Sequence, residues 1–116
     1  MKVVNHSDEF NVSGSTGPVR LTMSYGDGQD GTALVTKNGT VIVGGADLAN
    51  VLLGNAEDLA GQTVIVRSTI GQTDKSTQHF SAVHDVFGSA VHEQFIVADV
   101  FDAGTSAVVV ETITFK

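Results

Sequence analysis

The chain has no cysteine, no tryptophan, one proline, one tyrosine and only six basic residues in 116. Without cysteine there is no disulfide framework, no thiol chemistry and no cysteine-ligated zinc or iron–sulfur centre. Six Lys and Arg against thirteen Asp and Glu give a formal charge of -7, which argues against nucleic-acid or anionic-membrane binding by bulk electrostatics. No apolar run approaches the roughly 18 residues of a membrane span. No tryptophan and a single tyrosine, Tyr25, argue against the flat aromatic platform of a carbohydrate binder, and the spacing of the six Phe residues looks like core. A secretory leader needs a basic start followed by an apolar stretch. Here Met1-Lys2-Val3-Val4 runs straight into Asn5-His6-Ser7-Asp8-Glu9. The expectation is a cytoplasmic chain, or an exported one whose signal was removed, and the lack of cysteine does not separate the two.

What is present is foldable. Hydrophobic residues make up 41% and charged residues 16%, the reverse of a disordered composition. The length suits a single domain spanning 1–116. Val, Ile and Thr number 35, and β-branched side chains fit a pleated, half-buried surface. Pro18 opens the alternating segment Val19–Tyr25, which puts Val19, Leu21, Met23 and Tyr25 on one face. Asn38-Gly39 between Thr32–Lys37 and Thr40–Val43 is a hairpin signal, because both turn positions want positive φ. Further strands are predicted at Gln62–Ile70, Gln78–Phe87, Ala90–Phe101 and Thr105–Phe115, with edge candidates at Lys2–Val4 and Glu9–Val12.

One segment carries helical spacing. Leu48, Val51 and Leu52 stand at i, i+3 and i+4, with Asp47 as a possible cap and Gly54 as a stop, so a short helix bridging two sheets is predicted near residues 47–53. The fold expected is all-β, an antiparallel β-sandwich of about seven to nine short strands with that one helix. Apolar runs at Phe95-Ile96-Val97-Ala98 and Ala107-Val108-Val109-Val110 suggest that the last two strands are central.

Three of the four histidines fall in His79–Glu93. A two-residue Gly88-Ser89 turn would set Asp85 opposite His92 and His84 opposite Glu93, one histidine–carboxylate pair on each face. Such pairs are ordinary cross-strand contacts or the start of a site, since a carboxylate-oriented histidine suits a metal ligand or a general base. His84, Asp85, His92 and Glu93 are therefore the candidate catalytic residues, and His84, His92 and Glu93 the candidate metal ligands. Neighbouring carboxylates would favour charging of both histidines between about pH 5 and 7. Asp27 and Asp30 in Gly26–Gly31 are a candidate calcium pair, although the full calcium-loop pattern is not met. Phosphate-loop and nucleophilic-serine motifs are absent.

These absences favour a non-catalytic module acting in protein assembly or protein–protein interaction, with a protein partner or self-association and no cofactor. The alternatives are a metal-binding or acid–base enzyme centred on the 84–93 hairpin, and a small-ligand carrier. Ser106–Thr114 would be adhesive at a sheet edge, with Glu111 as its only charged guard.

Overall fold

Residue alternation becomes nine strands and one helical turn in the computed structural model, which describes residues 1–88, 90–102 and 105–116. The elements are β1 (Lys2–Phe10), β2 (Pro18–Gly26), β3 (Asp30–Lys37), β4 (Thr40–Gly45), β5 (Val51–Asn55), α1 (Ala56–Leu59), β6 (Thr63–Gly71), β7 (His79–Phe87), β8 (His92–Val100) and β9 (Ala107–Phe115). They form two sheets, one in the order β1-β9-β6-β3-β4 and the other in the order β5-β2-β7-β8. The sheets pack face to face, so the predicted β-sandwich is the fold. All the pairings are antiparallel except β1 with β9, which run parallel. Those strands lie at opposite ends of the chain, so no tight connection has to join them. No described helix is long and apolar enough to cross a membrane.

Local sequence explains the best-defined parts. Asn38 and Gly39 take φ of 51° and 81°, the geometry of a two-residue hairpin turn. In β2, Val19 and Leu21 are fully buried and Met23 nearly so. In β6, Val64, Val66, Ser68 and Ile70 point inward at 0% exposure while their neighbours face out.

Three expectations need correction. The helix is not at residues 47–53 but at Ala56–Leu59, four residues burying Ala56 and Leu59. Asn50 takes φ of 53° and breaks any helix there. The backbone around it instead joins the edge of β2: Met23 N–H donates to Leu48 O at 2.8 Å, and Asn50 N–H to Thr22 Oγ1 at 3.0 Å. A single helical turn bears the full cost of nucleation, so these long-range bonds win. The turn still bridges the sheets, because it links β5 of one to β6 of the other.

The second correction concerns β8. It is an edge strand, with Phe95 and Val97 inside and Ile96 52% exposed on the outer face. β9 does lie centrally, between β1 and β6. Glu111 therefore guards no edge and is completely buried.

The third is the register of the β7–β8 hairpin. Phe87 pairs with His92, two residues beyond the expected Ala90, and Gly88 N–H donates to Val91 O at 2.7 Å. Ser89 of the expected turn lies outside the described residues.

The interior is two apolar clusters. One gathers Phe10, Leu21, Leu53, Leu59, Ile113 and Phe115 among others, and the second contains Ile70, Phe80, Ala82, Val97, Phe101 and Val109. A polar layer runs between them. Along β6, Ser68 stands between Val66 of the first cluster and Ile70 of the second. Along β7, His84 stands between Val86 and Ala82, and along β9, Glu111 stands between Ile113 and Val109. Ser68, His84 and Glu111 are each 0% exposed. Tyr25 of β2 packs on both clusters and donates its hydroxyl to Ser68 Oγ at 3.0 Å.

Candidate functional site

Buried polar groups cost free energy unless they are paired, so the polar layer is where the sandwich departs from simple packing. Its densest part lies under β1. The parallel register sets His6 beside Glu111 and Asp8 beside Ile113, and Lys2, Val4, His6, Asp8 and Phe10 share the inner face. β1 is held at its far end by Lys116 N–H donating to Phe10 O at 2.9 Å and by Phe10 packing on Phe115 with ring centroids 5.7 Å apart. These contacts fix the position of His6 and Asp8.

The His6 ring is 42% exposed at the open edge, the Asp8 side chain 27%, and Glu111 is enclosed. His6 Nδ1 lies 2.8 Å from Glu111 Oε2 and 2.9 Å from Asp8 Oδ2. One ring N–H can serve only one of these oxygens well. The hydrogen bond is to Glu111, leaving Asp8 Oδ2 and Glu111 Oε1 without partners. Burial pushes the Glu111 carboxyl up to about 7, helped by the neighbouring Asp8 carboxylate and opposed by His6. The same contact with Glu111, more than any other, holds His6 above its ordinary value, and its own burial works against this. Among the described residues, His6, Asp8 and Glu111 are a group whose ligand atoms all lie within 4.8 Å of one another.

His84 occupies the same layer on the opposite sheet. Its Nδ1 donates to Phe95 O at 3.0 Å, so Nε2 is the bare nitrogen of the neutral ring, and it has no partner. Burial lowers its pKa, with Phe95 O and the charge of Asp8 opposing the shift. The expected pairing of His84 with Glu93 is corrected by the register: Glu93 stands opposite Val86 and is exposed. Burial lowers the His84 pKa despite the charges of Asp8 and Asp85, which favour its charging as expected but are outweighed.

Asp85 and His92 do meet, though diagonally. His92 Nε2 donates to Asp85 Oδ1 at 3.1 Å, Gln94 donates to the same oxygen at 3.0 Å, and the His92 ring stacks on Phe87 at 4.2 Å. This pair lies on the outer face, and His84 on the inner one. The four hairpin candidates therefore do not converge on one point.

Asp27 sits in a turn at φ 62°, and Asp30 Oδ2 accepts from Thr73 Oγ1 at 3.3 Å. The residue between them that organises this loop is Gln29, which is 3% exposed. Its amide donates to Asp74 O and His79 O while its Oε1 accepts from Asp74 N–H, tying the β2–β3 turn to the β6–β7 loop. An open cleft of about 500 Å³ nearby is lined by Tyr25, Asp30, Gly31, Thr32, Asp47 and Thr69. It is a surface opening lined by both polar and apolar groups.

His6 and Asp8 carry no motif or spacing signal in the sequence. Two inward polar residues in β1 interrupt its apolar alternation and make it look like two weak strands with a break between them. No family model, curated protein or solved structure matches this chain.

Proposed function

We propose that this chain is a non-catalytic β-sandwich module acting in protein assembly, and that it pairs with a second copy of itself along the free edge of β4. The observation that carries this reading is the contrast among the four sheet edges. Natural sheets guard their edges with charge, short strands or bulges. β1 carries Lys2, His6, Asp8 and Glu9, and β8 carries His92, Glu93 and Asp99. β5 and β4 are both short, uncharged and joined to their neighbour across a register shift, but β5 has its Leu53 carbonyl taken by Lys37 Nζ at 2.9 Å. β4, Thr40-Val41-Ile42-Val43-Gly44-Gly45, has no charged residue and leaves Val41 57% exposed.

An uncharged edge suits self-pairing in a molecule of net charge -7, because antiparallel β4–β4 contact brings no like charges face to face. It would also be a two-fold contact, which closes on itself and does not propagate into fibres. Val41→Lys is the test, read by sedimentation equilibrium. The wild-type chain should be dimeric and the variant monomeric, and the wild-type melting temperature should rise with protein concentration while that of the variant does not. A wild-type monomer at high concentration, or a variant as dimeric as the wild type, would rule out the edge.

A further inference from the structure

We propose that His6, Asp8 and Glu111 form a binding site for one divalent transition-metal ion of the zinc type. One imidazole and two carboxylates are a mixed nitrogen–oxygen donor set, which suits zinc and its neighbours, whereas calcium and magnesium prefer oxygen alone. The three ligand atoms already face one another from two adjacent strands.

The trio lacks positive charge. When both carboxyls are ionised their four oxygens share one ring N–H, and Glu111 Oε1 is orphaned on a side chain that is 0% exposed. His84 Nε2, a second fully buried acceptor, is orphaned in the same layer. A dication would neutralise both carboxylates and take up the unpartnered Asp8 Oδ2 and Glu111 Oε1.

A simpler account treats His6 and Asp8 as inward-pointing edge charges that discourage pairing at β1. That account leaves Glu111 unexplained, since it belongs to a central strand and gains nothing from edge protection. The geometry requires one adjustment. Metal bonds of about 2.0–2.2 Å put tetrahedral ligand atoms roughly 3.3–3.6 Å apart, against 2.8 and 2.9 Å for the two contacts of His6. The trio must open by about half an ångström, and the half-exposed His6 ring on an edge strand is free to make that movement. The same exposure gives the ion its entry path.

The test is calorimetric titration of the full, chelator-treated chain with zinc chloride, with calcium chloride as comparison. One zinc per chain should bind, calcium should bind far more weakly, and zinc should raise the melting temperature. His6→Ala and Glu111→Gln should each weaken zinc binding by at least about tenfold, while His79→Ala and His92→Ala leave it unchanged. His6→Ala changes a half-exposed side chain, so it decides the matter even if the Glu111 variant folds poorly. The proposal is overturned if zinc does not bind, or if binding survives His6→Ala and is lost with His79 or His92.

Discussion

Glu111→Gln keeps the shape of a fully buried side chain and removes its charge. The folded protein holds the Glu111 proton more tightly than the unfolded chain does, with the carboxyl raised from 4.5 to about 7 mainly by burial. A raised acid favours folding fully at low pH, and that contribution is lost as pH rises between the unfolded and folded values. At 1.36 kcal/mol per unit, the Glu111 contribution amounts to about 3 kcal/mol lost between roughly pH 4.5 and 8. His6, raised chiefly by the same contact, loses stability in the same direction as pH rises. His84, with its lowered value, acts the opposite way, costing stability as pH falls below 6.5, but it does so equally in both proteins.

The variant and the wild type should therefore be similar near pH 5, with the variant more stable at pH 8 by up to about 3 kcal/mol. For a domain of this size that is on the order of 10 °C in melting temperature. The glutamine amide also finds acceptors, since Asp8 Oδ2 has no hydrogen-bond partner in the wild type. Chelator-treated protein melted across this pH range is the assay. Parallel pH profiles for the two proteins, or a variant less stable at pH 8, would refute the burial argument.

Other outcomes follow from the same geometry. In a histidine NMR titration of metal-free protein, His84 should titrate below 6.5 and His6 above it; the reverse order would mean the rings are not placed as described. A Cβ on Gly31 would lie 2.8 Å from the ring of Tyr25, which is tethered to Ser68. Gly31→Ala should thus cost about 1–3 kcal/mol by denaturant unfolding, and a neutral result would show that the ring yields freely. Asp85→Ala breaks only outer-face contacts to the half-exposed His92 and to Gln94. Its cost should stay within about 1 kcal/mol, and a loss of several would show that the pair has a structural or functional role beyond the surface.

Much of the sandwich was legible because its signals are local. Val19–Tyr25 alternates, Asn38-Gly39 dictates its own turn, and β6 buries every second residue. The helix was misplaced because Leu48, Val51 and Leu52 fit a helical face, while hydrogen bonds to β2 decide their conformation. The hairpin register failed because it depends on loop geometry that Gly88-Ser89 does not specify, and a two-residue shift moved His84 from Glu93 to Phe95. The candidate site was nearly invisible for a different reason. His6 and Glu111 are 105 positions apart and meet through a parallel pairing of the chain's two ends, which no spacing rule reports. A single glutamate within Ala107-Val108-Val109-Val110-Glu111 was the available signal. On a strand this apolar it marks a buried charge in need of a partner as readily as a guarded edge.

We propose that docking of β1 on β9 builds a metal site inside the sandwich. Anomalous diffraction from crystals of the zinc-equilibrated chain tests it most directly. One zinc peak should stand about 2.0–2.2 Å from His6 Nδ1 and from oxygens of Asp8 and Glu111. Zinc found only at His79 or His92, with His6 and Glu111 still hydrogen-bonded to each other, would contradict it.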